Sequence, residues 1–185
     1  MTENPRFDQL LAQGLEASRD NRTDAALELF AQASAAAPGS GVPHFLMGSE
    51  HASAGDIQAA ELAFANAVLL APEFHLARYQ LGLLQFSSDR AAVALITWQP
   101  LFSLPESDPL RHFVSGFAAL AQDRFQEALH HYRAGLQRND DNPAVSADIG
   151  KVIAAVEQLM QPPAAGQPAA AASHVLLSGY SKGMH

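Results

Sequence analysis

The chain has 185 residues, of which 48% are hydrophobic, 16% are charged and none is cysteine. This composition predicts a folded core and excludes a disulfide framework, thiolate metal ligands and a cysteine nucleophile. The net charge of −8, with only 11 basic residues scattered singly along the chain, argues against a surface for nucleic acid or anionic lipid.

Four residue types recur every 34 residues from Phe7 onward. Each period reads as two amphipathic helices joined by a short turn, and four aligned series without a gap indicate an internal repeat. Glycine and alanine let the paired helices approach, the aromatic side chain fills the gap between successive repeats, and the turn former tolerates a left-handed backbone. The series are Gly14, Gly48, Gly82 and Gly116; Asn21, Gly55, Asp89 and Asp123; Ala26, Ala60, Ala94 and Ala128; and Phe30, Phe64, Trp98 and Tyr132.

The repeats predict eight helices and a ninth element follows them. In chain order the eight lie at about 7–19, 23–36, 41–54, 57–70, 75–87, 90–102, 109–121 and 125–138. Pro100 falls inside the sixth, so we expect a kink or an early end there. The ninth begins after Asn142, a good N-cap, and has a single apolar face, which is typical of a helix that caps a solenoid at 143–160.

The period and its residue types resemble the tetratricopeptide repeat over residues 7 to about 142. The resemblance implies an all-α, right-handed α-solenoid of four helix–turn–helix units at 7–40, 41–74, 75–108 and 109–142, preceded by an N-terminal extension at 1–6. The sequence departs from the family pattern in two ways. The family's first-helix tryptophan position holds Leu10, His44, Arg78 and His112, and the closing proline is replaced by Glu106 and Asp140 in the last two units.

The resemblance also implies that the first helix of each unit lines a concave groove. Repeat positions 2, 5, 9 and 12 face it and form one stripe by helix geometry. The stripe holds almost no cation, Arg19 at its edge being the clearest, which disfavours a clamp for a C-terminal carboxylate. It suits an apolar peptide or an amphipathic helix, while burial of the same residues as ordinary core remains the alternative. The predicted groove residues are Leu11, Leu15, Val42, Phe45, Leu76, Tyr79, Leu83, Phe86, Leu110, Phe113, Phe117 and Leu120.

The C-terminal region divides into a linker and a short motif. Residues 161–172 are rich in proline and alanine without charge, which indicates a linker that spans about 40 Å when extended. Residues 173–185 contain no acidic residue and group four apolar ones. An unstructured terminus is one interpretation; the other is a motif that docks in the groove, in cis or in trans. Its docking residues are Val175, Leu176, Leu177 and Tyr180.

No constellation of residues predicts catalysis. The glycines recur at 34 residues instead of within one turn, and no Gly-x-Ser-x-Gly elbow occurs. The spacing of His44 from His51, and of His130 from His131, does not suit a metal on a helix. We therefore expect no enzyme, cofactor or metal, and a polypeptide partner in place of nucleic acid.

The sequence thus predicts an adaptor or small chaperone that binds an apolar or amphipathic segment. The alternative function is a self-associating scaffold in a multiprotein assembly, for example a secretion-related one, and a homo-oligomer fits either function. No apolar run approaches the roughly 18 residues that cross a bilayer. The N-terminus shows no signal-peptide core, so we expect a cytoplasmic protein without membrane insertion.

Overall fold

The structure, a computed structural model, describes residues 4–161. Within these residues the chain forms nine α-helices, one 3₁₀ segment and no strand. The predicted all-α fold class is confirmed. The helices are α1 Pro5–Arg19, α2 Thr23–Ala36, α3 Val42–Ser53, α4 Ile57–Leu70, α5 His75–Ser87, α6 Ala91–Thr97, α7 Pro109–Leu120, α8 Phe125–Leu136 and α9 Pro143–Leu159, with the 3₁₀ segment Gln99–Ser103 between α6 and α7.

The turns inside the four repeats adopt the left-handed backbone that the sequence predicts. The φ angles are 57° at Asn21, 80° at Gly55, 60° at Asp89 and 56° at Asp123. Glycine, asparagine and aspartate are the residues that tolerate this conformation best, because their side chains are absent or short and polar. The same position of every repeat therefore reverses the chain between its two helices.

The described chain forms two compact units, residues 4–84 and 85–161, and the boundary falls inside α5. In unit 1, α1 packs on α2, α2 on α3, and α3 on α4. One core cluster centres on Ala17, Ala26 and Phe30, and half-buried Leu46 and Met47 of α3 pack against it. A second cluster joins α3, α4 and α5. Its buried members are Ala52, Ala60, Phe64, Leu81 and Leu84.

The repeated glycine makes room for the repeated aromatic ring of its own unit. A Cβ added at Gly14 would lie 2.4 Å from the Phe30 ring, and one at Gly48 would lie 2.6 Å from the Phe64 ring. Real Cβ atoms do not approach a ring carbon so closely. An added methyl group would therefore force the ring off its rotamer or move the backbone. The sequence interpretation placed the aromatic side chain between successive repeats. Phe30 packs against Gly14 of its own repeat, and Leu46 and Met47 of the next repeat pack against its cluster.

Unit 2 departs from the regular repeat at Pro100, as predicted. Helix α6 ends at Thr97 after seven residues, and the chain continues as the 3₁₀ segment, which packs against α7. Proline cannot donate the next helical hydrogen bond and clashes with the preceding turn. The break places Leu101 in a fully buried position. Helix α7 then packs on α8, and α8 on α9.

Helix α9 caps unit 2 with one apolar face. Asn142 accepts a hydrogen bond from the amide of Val145, at 3.2 Å, which confirms the predicted N-cap. The buried residues on the packed face are Val145, Ile149, Val152 and Val156. Met160, beyond the last turn, is exposed. Between residues 4 and 161, no helix is both long and apolar enough to span a membrane.

Candidate peptide-binding surface

The predicted groove residues of unit 1 lie partly open to solvent. Leu15 of α1 is 42% exposed and Val42 of α3 is 39% exposed. Leu11 is half-buried against the first core cluster. Phe45 is half-buried as well, with its ring 5.7 Å from Phe64 and 4.8 Å from Phe74. These four side chains, Leu11, Leu15, Val42 and Phe45, form what we call the α1–α3 surface.

A polar contact joins the two helices of the α1–α3 surface. The Ser18 hydroxyl donates a hydrogen bond to the Glu50 carboxylate, so the C-terminal half of α1 lies beside α3. The Ser49 hydroxyl donates a hydrogen bond to the carbonyl oxygen of Phe45, one turn earlier on α3, at 3.1 Å. The surface is therefore an apolar patch bordered by a carboxylate, and its two helices are held side by side.

Most of the remaining predicted groove residues are buried, which corrects the expectation that they border an opening. Tyr79 and Leu83 of unit 1 are 1% and 7% exposed, and Phe113 and Phe117 of unit 2 are 0% and 2% exposed. Leu120 is buried too, while Leu76, Phe86 and Leu110 are half-buried. Among the rings of the stripe in unit 2, Phe113 and Phe117 belong to the core and Phe86 is half-buried.

An aromatic cluster explains the burial of Phe117. The ring of Phe117 lies 5.1 Å from Phe86, 5.3 Å from Trp98 and 5.3 Å from Tyr132, centroid to centroid. Aromatic rings at such separations attract one another beyond the gain from apolar burial. The sequence signal for this cluster was available, because Trp98 and Tyr132 are members of the repeated aromatic series.

Sequence reasoning missed a second apolar feature, on the outward face of α4. Leu62 and Leu69 are 66% and 76% exposed, two turns apart on one side of the helix. Their spacing of seven residues in an alanine-rich helix was a usable signal. The family pattern assigns the groove to the first helix of each repeat and not to the second.

The histidines of the described part of the chain do not gather into a metal site. His44 of α3 lies 3.0 Å from the Ser34 hydroxyl, and burial lowers the pKa of His44. In unit 2, the His131 ring lies between His112 and His130, with centroid distances of 6.0 and 5.8 Å. The predicted docking residues Val175, Leu176, Leu177 and Tyr180 lie outside the described residues, as does nearly all of the linker.

The fold is similar to those of several solved structures. A MamA structure shares 20% sequence identity with a TM-score of 0.59, over 72% of this chain and 78% of that one. MamA 41-end from Desulfovibrio magneticus RS-1 shares 14% identity with a TM-score of 0.61, over 87% of this chain and all of that one. The Sgt2 TPR domain from Aspergillus fumigatus aligns with a TM-score of only 0.46 at 16% identity, over 92% of this chain and 93% of that one.

No protein-family model matches the sequence, and no curated protein matches it either. The assignment of the fold consequently depends on the repeat geometry and on the shared architecture. Four 34-residue helix pairs are present, with left-handed turns and glycine–aromatic contacts at repeated positions. The chain has the fold of a tetratricopeptide-repeat protein.

Proposed function

We propose that this protein is a non-catalytic interaction module, an adaptor or small chaperone, that binds an apolar or amphipathic polypeptide segment on the α1–α3 surface. One observation supports it above the others: Leu15 and Val42 are exposed large apolar side chains on neighbouring first helices of unit 1. A folded protein gains by covering such side chains, at about 25 cal/mol per Å² of apolar area removed from water.

The charge around this surface favours a partner segment with basic flanks. The part of the chain that is described holds 18 of the 19 acidic residues and 10 of the 11 basic ones. Asp8 lies on α1 and Glu50 on α3, and the Arg19 side chain donates to the carbonyl of Leu15 at 3.4 Å. Complementary charge speeds encounter and excludes acidic competitors more than it raises affinity.

The chain's own C-terminal motif, residues 173–185, has the composition of such a segment. It carries Val175, Leu176, Leu177 and Tyr180, one lysine and no acidic residue. Bound in cis, it would act at an effective concentration of millimolar order, so only a tighter external segment would displace it. In this proposal the motif is a built-in competitor for the α1–α3 surface.

A binding experiment with substitutions on two faces tests the function. A labelled peptide of residues 173–185 is titrated with the chain ending at Gln161, with the double variant Leu15→Asp plus Val42→Asp, and with Leu62→Asp. We expect saturable binding that the double variant weakens at least tenfold and that Leu62→Asp, on the outward face of α4, leaves unchanged.

A second arm separates the own motif from an external partner. Partners captured from native extract by the full chain are compared with those captured by the chain ending at Gln161. A defined polypeptide that the shorter chain binds more tightly, and that Leu15→Asp plus Val42→Asp releases, supports the adaptor. Equal capture by all variants would place the interaction elsewhere on the molecule.

The outward face of α4 favours a second candidate, the self-associating scaffold. Leu62 and Leu69 are the most exposed large apolar side chains of unit 1. Two copies of α4 in antiparallel contact would cover both leucines of each copy. Sedimentation at increasing concentration tests this function: a mass that rises with concentration and is restored to the monomer by Leu62→Asp plus Leu69→Asp supports the scaffold.

A further inference from the structure

The contact between α7 and α8 contains a half-buried imidazole, His131, with one ring nitrogen that lacks a hydrogen-bond partner. The Nδ1 atom of His131 is inaccessible to solvent, and no hydrogen-bond partner lies against it. On one side is the ring of His112 from α7, at 6.0 Å, and on the other the ring of its neighbour His130, at 5.8 Å. A neutral imidazole tolerates this position, whereas an imidazolium requires an acceptor for each of its two N–H groups.

The charged groups around His131 do little to balance a positive charge. Burial lowers its pKa first, and the neighbouring His112, His130 and Arg111 lower the pKa further, while Glu127 opposes them. That carboxylate is engaged already, since Arg124 donates to Glu127 at 2.7 Å. Histidine acquires its charge between about pH 5 and 8, so protonation of His131 in mild acid would place a positive charge beside Arg111.

The other elements around the cluster supply no free carboxylate. Before α7, the Glu106 carboxylate lies 3.7 Å from Arg111, and the carbonyl of Glu106 accepts a hydrogen bond from His112 Nε2. On α9, Glu157 pairs with Arg133 of α8. The remaining two charged groups of α9 pair with each other, Lys151 with Asp148.

Helices α7 and α8 approach each other closely beside His131. Gly135 follows His131 by one turn on the same face of α8. A Cβ added at Gly135 would lie 2.4 Å from the ring of Phe113 and 3.2 Å from the Cβ of His112. Separation of α7 and α8 would let water reach an imidazolium at His131, and it would also uncover Phe113, which is fully buried.

We propose that the α7–α8 pair is an acid-sensitive switch, in which protonation of His131 beside His112 and His130 separates the two helices and opens unit 2. The pH range follows from the sign of the linkage. The folded state binds the proton less readily than the unfolded one, so the stabilisation is complete above the ordinary histidine value of about 6.5 and declines as the pH falls below it. This inference does not depend on the proposed peptide binding.

The single tryptophan of the chain reports on the switch. Trp98 is fully buried in unit 2, 5.3 Å from Phe117, which contacts Tyr132 next to His131. The emission of the full chain is followed from pH 7.5 to 5.0 at constant ionic strength. We expect a red shift and new binding of a hydrophobic dye below about pH 6.5, and both changes are expected to be at least halved in His131→Leu.

Two controls keep the result interpretable. His44→Gln, which removes the histidine with a lowered pKa in unit 1, should leave the emission change of Trp98 intact. If His131→Leu fails to fold, an NMR titration of wild-type His131 decides, because the proposal requires it to titrate below the ordinary histidine value of about 6.5. An emission that stays constant to pH 5.0, an acid response preserved in His131→Leu, or an ordinary titration of His131 would overturn the proposal.

Discussion

The two units use the same repeat to different ends. In unit 1 two regular helix pairs leave groove positions such as Leu15 and Val42 partly open. In unit 2 the corresponding stripe is filled by rings, with Phe113 and Phe117 buried in contact with the second helices. The repeated positions thus fix which way a side chain points along a helix, and the size of the neighbours decides whether it stays accessible.

One position of the repeat explains why unit 2 departs from the regular helix pairs of unit 1. Position 27 of the 34-residue repeat holds Ala33 in the first repeat, Ala67 in the second and Gly135 in the fourth, but Leu101 in the third. All four are buried, and at Gly135 even a Cβ would collide with the Phe113 ring. A leucine at this position therefore needs a displaced backbone, which the 3₁₀ segment after Pro100 provides. Pro100 and Leu101 together therefore account for the break between α6 and the 3₁₀ segment.

Substitution of one groove position in each unit tests this contrast with the largest effect. Leu15 and Phe117 both occupy position 9 of the repeat. We expect Phe117→Ala to lower the free energy of unfolding by about 3–5 kcal/mol, because it leaves a cavity within the aromatic cluster. Leu15→Ala should change it by less than about 0.5 kcal/mol. Urea denaturation followed by circular dichroism measures both, and equal losses would show that position 9 is core in both units.

The glycine–aromatic contact is tested by a pair of alanine substitutions. Gly48→Ala would place a Cβ 2.6 Å from the Phe64 ring and should cost about 1–3 kcal/mol of stability. Gly150→Ala on α9 meets nothing within 4 Å and should stabilise by about 0.4–1 kcal/mol through the unfolded chain. Thermal unfolding should shift in opposite directions; a shift in the same direction would contradict the steric explanation.

The helix caps are expected to contribute equally in the two units. Asp56 accepts from the amide of Ala59 at the start of α4, and Asn142 accepts from Val145 at the start of α9. We expect Asp56→Ala and Asn142→Ala each to cost about 1 kcal/mol. Asn142→Asp, which keeps an acceptor at the helix N-terminus, is the control and should retain most of the stability in urea denaturation.

The smallest effect is expected for the ion pair between α8 and α9. Arg133 and Glu157 are about half exposed, at 56% and 46% of their side-chain surface. Glu157→Gln should therefore cost less than about 1 kcal/mol, and the difference from wild type should disappear in 1 M salt. A loss that persists at high salt would mean that Glu157 stabilises unit 2 through packing and not through charge.

The sequence by itself determined the helices, their turns and their caps. Gly55 and Asp89 predict left-handed turns, Asn142 predicts a helix N-cap, and Pro100 predicts the end of a helix. Each residue has its effect through the local geometry of its own backbone. The 34-residue period determined the fold for the same reason, since it repeats a pair of amphipathic helices that must cover one another.

Only the tertiary structure decided which predicted groove residues are accessible. Phe45 and Phe113 occupy the same position of the repeat, yet Phe45 is half-buried and Phe113 fully buried. The difference lies in residues distant along the chain, such as Gly135, whose missing side chain lets α8 approach the Phe113 ring. The burial of a side chain depends on the volumes of all the side chains that pack around it, including those from distant parts of the chain. A local sequence pattern does not contain this information.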